Sequence, residues 1–267
     1  MTEDSTPMQN ESATGFELDE RQRAMLAEMG VRVWMPKTRA QQFVEAPARA
    51  IAAGQASASS TATATEPKLM SVPVVDISNL PAGIANMNWA ELQSAVSACT
   101  SCGLCHGRQQ AILGNGLVTA NWMVVGDAPG EEEDKEGQSF AGPAGQLLDN
   151  MLKALGLKRE EVYLTHALKC RTPAGRNASQ VEVSHCATYL ARQVALVQPQ
   201  VILAMGRTAA LALLQSAEPL GKLRSQVHEF AGVPVVVTYP PAYLLRNQSD
   251  KAKAWTDLCL AASLVKT

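Results

Sequence analysis

Five cysteines and a run of carboxylates are the residues of this chain best suited to chemistry. Cys99 and Cys102 form a C-x-x-C pair, Cys105 follows, and Cys170 and Cys186 lie downstream. Thiolates at positions i and i+3 can reach one metal from a single turn, so this spacing recurs in zinc and iron–sulfur sites. Four thiolates suit either metal, and spacing leaves both open. Between the cysteine groups runs Gly126-Asp127-Ala128-Pro129-Gly130-Glu131-Glu132-Glu133-Asp134, directly after the apolar Trp122-Met123-Val124-Val125. A strand that feeds a Gly/Pro-rich loop delivers these carboxylates to the strand's end. Taken alone, the run 131–134 equally fits a solvated face or a cap for the segment that follows. Cys259 stands alone in an apolar C-terminal helix and reads as a core residue.

The elements that must position these groups follow from hydrophobic period. Four short runs rich in Val, Ile and Leu, at 121–125, 161–165, 200–205 and 233–238, read as strands. Segments 146–152 and 180–197 have helical spacing, and Asn88 is placed to cap a helix that runs toward Cys99. Strands that alternate with helices predict an α/β fold of three layers, with a central, mostly parallel four-stranded sheet covered on both faces. Residues 86–267 form the expected folded domain. Residues 37–85, rich in Ala, Ser and Thr, read as a flexible linker. Residues 1–36 read as a disordered start followed by a short helix with Gly30 as its stop and an extended Val-Arg-Val-Trp piece.

Composition narrows the function. Apolar residues make up 46% of the 267, enough for a core, and no run approaches the length of a membrane span. The start has neither the basic nor the apolar stretch of a signal peptide, so a cytoplasmic location is expected. Cysteines in such a chain suggest metal rather than disulfides. Net charge is −2, so any contact with nucleic acid must come from a local patch.

Several motifs occur in a fixed order: Gly126–Asp134, Gly137-Gln138-Ser139-Phe140-Ala141-Gly142, Lys169-Cys170-Arg171, Pro199–Gly206 and Pro241-Ala242-Tyr243-Leu244-Leu245-Arg246. With Cys99 and Cys102 they resemble the family 4 uracil-DNA glycosylases, the iron–sulfur branch of that superfamily, over about residues 97–260. The resemblance implies a uracil-DNA-glycosylase-like fold and a structural [4Fe-4S] cluster on Cys99, Cys102, Cys170 and Cys186, with Cys105 as a spare. It implies that Asp127 orients the attacking water, where the family usually carries glutamate, and that Gly126 and Ala128 line the base pocket. Phe140 matches the aromatic that stacks on uracil. Tyr243, Leu244 and Arg246 match the segment that enters the duplex. Lys169 and Arg171, with Arg176, Arg207, Lys222 and Arg224, form the expected phosphate patch.

Two positions depart from the family pattern. Thr165-His166 stands where the family carries Thr-Asn, whose amide reads the uracil edge; an imidazole cannot offer donor and acceptor in one plane as an amide does. Pro240 stands where the family's histidine stabilises the leaving base, and proline offers no donor. His166 is the expected substitute, as base reader and catalytic donor. His106, His185 and His228 lie outside the motifs. The resemblance therefore implies a DNA-repair glycosylase acting on uracil-containing or single-stranded DNA, attenuated by both changes.

A rival reading rests on the N-terminal segment. Arg21–Trp34 resembles the N-terminus of the psi subunit of the bacterial replicative polymerase clamp loader. Met25, Met29, Val31, Val33 and Trp34 would form an apolar docking face for a replication protein, with Trp34 as anchor. On that reading the chain is a catalytically silent adaptor.

Overall fold

The computed structural model describes residues 82–265, apart from 174 and 175. The expected docking residues Met25, Met29, Val31, Val33 and Trp34, and the expected linker up to residue 81, lie outside the described residues. Six strands form one sheet: β1 (Asn115–Gly116), β2 (Trp122–Gly126), β3 (Val162–His166), β4 (Val201–Met205), β5 (Val227–Phe230) and β6 (Val233–Thr238). Their order is β1-β3-β2-β4-β6-β5. The principal helices are α1 (Trp89–Ser97), α2 (Glu131–Glu136), α3 (Gly142–Ala154), α4 (Gln180–Val197), α5 (Arg207–Leu214), α6 (Pro241–Arg246) and α7 (Lys251–Leu264).

The four expected strands are the parallel centre, with β2 between β3 and β4, and β6 beyond β4. The sheet is wider than expected because β1 and β5 add antiparallel edges. Every residue of β2, β3 and β4 is buried, which is why these strands read as continuous apolar runs rather than alternating ones. Side-chain alternation divides them between two cores. Met123, Val125, Tyr163, Ile202 and Ala204 face α4 and α5. Trp122, Val124, Leu164, Leu203 and Met205 face α3 and α7.

Local chemistry sets the helix starts. Asn88 accepts from the Glu91 amide at 3.0 Å while its own amide donates to Glu91 at 2.8 Å, a reciprocal capping box. Ser179 and Glu182 repeat the device at the head of α4. Pro143 occupies the first turn of α3, where its missing donor costs nothing. Among the described residues, no helix is long and apolar enough to cross a membrane.

The parallel strands finish level with one another: Gly126 pairs with His166 and Met205, and Met205 with Thr238. Connections leave β2 and β4 toward opposite sides of the sheet, so the crevice beyond these ends is the place where such folds bind ligands. Helix α3 closes one side of it and must approach the preceding loop closely. A Cβ on Gly145 would overlap the Phe140 carbonyl. Gly145→Ala should therefore destabilise the fold by about 1–3 kcal/mol, whereas Gly221→Ala, with open space around the added carbon, should change stability by less than about 1 kcal/mol. Denaturant titration of both variants checks this contrast.

Candidate active site

At the end of β2 the chain turns through Asp127-Ala128-Pro129 into α2, whose cap is Gly130. The acidic run is divided: Glu131 and Glu132 are exposed, whereas Glu133 and Asp134 are buried. Glu133, at the third position of α2, reaches back to accept the Gly130 amide at 2.5 Å. The same carboxylate accepts the Phe140 amide and faces His166 Nε2 at 2.8 Å. Burial would raise the Glu133 carboxyl, but His166 and the two amides hold it below the usual range. Asp134 is buried beside it and accepts from the Gln109 and Gln110 amides at 2.9 and 3.2 Å, tying α2 to the segment that follows the cysteines.

Phe140 has a left-handed backbone, φ 56°, which a bulky residue adopts only when its surroundings enforce it. Glu133 holds its amide, and Arg159 donates to the Ser139 and Phe140 carbonyls at 2.7 and 3.1 Å. The Phe140 ring stacks on His166, with centroids 4.6 Å apart and planes at 29°. His166 is 3% exposed, and its Nδ1 has no partner. Gly126 must be glycine here, because a Cβ would lie 2.5 Å from Nδ1 and 2.8 Å from the Phe140 ring.

Asp127 lines the same pocket. Its carboxylate accepts the Ala209 amide at 2.9 Å, and that of Thr208, at the head of α5. An anion suits this position, where unpaired helix amides converge. Burial pushes the carboxyl up, against the pull of those amides and of His166. The pocket, of about 260 Å³, is lined by Gly126, Asp127, Ala128, Glu133, Phe140 and His166, and across from them by Pro240, Tyr243 and Arg246. The structure thus brings together all the predicted base-pocket residues, and adds Glu133.

A sequence model of the uracil DNA glycosylase superfamily matches residues 113–261. The chain belongs to the uracil-DNA glycosylase superfamily. It is 36% identical over 182 residues to a type-4 uracil-DNA glycosylase of Pyrobaculum aerophilum, covering 65% of this chain and 93% of that protein. A type-4 enzyme of Thermotoga maritima is 35% identical over 175 residues, covering 64% and 91%. A type-5 uracil-DNA glycosylase of Pyrobaculum aerophilum is 32% identical over 149 residues, covering 49% and 66%.

Within this glycosylase framework, several predicted DNA contacts point elsewhere. Lys169 is 2% exposed. Its ammonium donates to Thr165 Oγ1, the His166 carbonyl and Gln193 Oε1 at 2.7, 2.6 and 2.6 Å, so it braces the end of β3 and cannot meet a phosphate. Burial lowers its pKa to about 7. Leu244 is fully buried in the core, because it falls on the inner face of α6; Leu245 is 42% exposed and Arg246 is exposed at the pocket mouth. Tyr243 stacks on Tyr239 at 5.0 Å and donates to Asp250 at 2.7 Å, which fixes the far wall. Arg224 pairs with buried Asp257 at 2.8 Å and is itself largely buried, whereas Arg176 pairs with Glu182 at 2.8 Å and stays exposed. Arg171 stays at the surface beside Glu131.

Cys170 and Cys186 are buried, and Cys99, Cys102 and Cys105 are partly exposed. Arg108 donates to Cys170 Sγ at 3.0 Å. Burial raises the Cys170 thiol, Arg108 opposes it, and Cys102 and Cys99 add to the rise. Burial likewise pushes Cys186 up to about 11, with Cys170 and Cys102 adding to it. Cys170 therefore lies within electrostatic reach of Cys99, Cys102 and Cys186, and Cys186 within reach of Cys102. Among the described residues, however, no three His, Cys, Asp or Glu side chains converge closely enough to hold a single metal ion. Cys105 lines a separate polar cleft with Arg108 and Gln109.

Glu133→Ala would orphan three donors at once and should cost about 3 kcal/mol or more. Because its folded carboxyl lies below the ordinary 4.5, the stability it contributes is full above pH 4.5 and is lost as pH falls through the lower folded value. Acid denaturation of Glu133→Gln beside wild type should show a shallower loss in that window.

Proposed function

We propose that the chain is a DNA-repair glycosylase that hydrolyses the bond between uracil N1 and deoxyribose. The observation that carries this reading is the convergence of Gly126, Asp127, Ala128, Phe140 and His166 on one pocket beyond the parallel strands, inside the segment that matches the superfamily. The names of the type-4 relatives support the same reaction. A pocket of about 260 Å³ admits a base but no duplex, so the nucleotide must be flipped out of its stack. Leu245 and Arg246, exposed beside the mouth, would enter the duplex and meet its phosphates.

Asp127, pinned by the α5 amides, then orients water and offsets positive charge that builds on the sugar. Phe140 and His166 meet the base. Pro240 supplies no donor to the departing uracil anion, and loss of such a donor costs roughly 10²–10³ in rate. The four thiols, two of them buried and Cys170 within charge range of the other three, together with the Arg108 cation, fit an anionic sulfur-ligated group. Cys99, Cys102, Cys170 and Cys186 would hold a [4Fe-4S] cluster. When bound, the cluster supplies a structural cross-link among these segments.

Single-turnover release from a uracil-containing oligonucleotide tests the proposal, with anaerobically prepared, cluster-loaded protein. Wild type should release uracil, Asp127→Asn should lose release, and Pro240→His should accelerate it by about 10²-fold. No release from loaded wild type or from Pro240→His would refute the assignment.

A further inference from the structure

Four buried side-chain polar atoms among the described residues have no hydrogen-bond partner, and only His166 Nδ1 belongs to a residue that lines the base pocket. An unpaired nitrogen in such a place costs free energy unless something fills its valence when the site works. What it can bind depends on which ring nitrogen carries the proton, and Glu133 decides that.

The two Glu133 oxygens accept backbone amides from Gly130 and Phe140, and an amide cannot reverse its role. The carboxylate is also held in its charged form, since burial is outweighed by its hydrogen-bond donors. It therefore has only acceptors to turn toward His166 Nε2, 2.8 Å away, and the ring proton resides on Nε2. In the neutral ring, Nδ1 is left as a bare, buried acceptor packed against Gly126, in a residue that lines the pocket. Stacking on Phe140 holds the imidazole within 29° of that aromatic plane, so the Nδ1 lone pair lies nearly parallel to the Phe140 ring. The other charged groups near the ring are Asp127, in the same pocket and within electrostatic reach of it, Arg246 at the pocket mouth, and Lys169, whose ammonium binds the His166 carbonyl and not the imidazole.

We propose that Glu133 and His166 act together as a base reader of acceptor polarity: Glu133 fixes the proton on Nε2, and Nδ1 accepts a hydrogen bond from the N3–H of the flipped uracil. The inference rests on the glycosylase reading and names its selectivity. An amide at this position would read both N3–H and the 4-carbonyl. Here N3–H alone is read, and the 4-carbonyl is left free. Cytosine, whose N3 is a bare lone pair, meets Nδ1 acceptor against acceptor and is refused. Glu133 is a positioning residue and touches no base.

The test joins a spectroscopic and a kinetic measurement. Long-range proton–nitrogen NMR on the full chain labelled with ¹⁵N-histidine, in mildly alkaline buffer, identifies His166 by the loss of its signals in His166→Asn. Nε2 should be protonated and Nδ1 bare; Nδ1 should shift when free uracil is added and stay in place with 3-methyluracil. In Glu133→Ala the two nitrogens should exchange the proton and report a mixture. In oligonucleotides, uracil and 4-thiouracil should be released at rates within about 3-fold of each other, and 3-methyluracil about 10²-fold or more slower. His166→Asn should restore sensitivity to the 4-substituent. A proton on Nδ1, an Nδ1 unmoved by uracil, or equal release of 3-methyluracil would overturn the reader even if uracil is released. An Nδ1 that responds to uracil in protein that releases no base would uphold the reader and overturn the glycosylase reading instead.

Discussion

The carboxylate of Glu133 is the point at which the sequence, the loop and the pocket are joined. It closes the first turn of α2 through Gly130, holds Phe140 in a left-handed backbone, and fixes the His166 ring. None of these would persist separately. A six-residue helix is too short to stand alone in water, and a left-handed phenylalanine needs enforcement. A buried carboxylate without donors is costly in its turn, so the three features stabilise one another. The pocket is a by-product of satisfying one buried charge.

The sheet supplies what that carboxylate needs. Gly126 and His166 sit opposite each other at the ends of adjacent parallel strands, so their approach is set by backbone register rather than by loop conformation. Lys169 then staples the chain beyond β3 from beneath, bridging Thr165, His166 and Gln193. Asp127 is fixed by helix amides from α5, a different segment. The two acidic groups of the pocket are thus held independently, one by α5 and one by its own helix start. Asp127 and Glu133 therefore share no hydrogen-bond donor.

The central strands were legible because burial on both faces leaves an uninterrupted apolar signature, as in Val201-Ile202-Leu203-Ala204-Met205. The edges were not. β1 is two residues long, and β5 carries His228 and Glu229 on a half-solvated ribbon. The pocket residues were found through motif order, but the direction of individual side chains was hidden. Lys169 reads as a phosphate ligand from its charge, yet it follows a buried strand and turns inward. Leu244 and Leu245 are identical in type, and only the docking of α6 decides which is core. Glu133 was masked by three acidic neighbours. Its signal was positional: Gly130-x-x-Glu133 has the spacing of a capping box, which marks one carboxylate of the run as turned back toward the backbone.

The dependence of the pocket on one charged contact is most directly measured by a double-mutant cycle in denaturant, with Glu133→Ala, His166→Ala and the double variant. A coupling of about 1.5 kcal/mol or more between the two positions is expected for a buried, charge-assisted pair. Additivity within about 0.5 kcal/mol would show that Glu133 and His166 stand independently and would contradict the account of how this site is built.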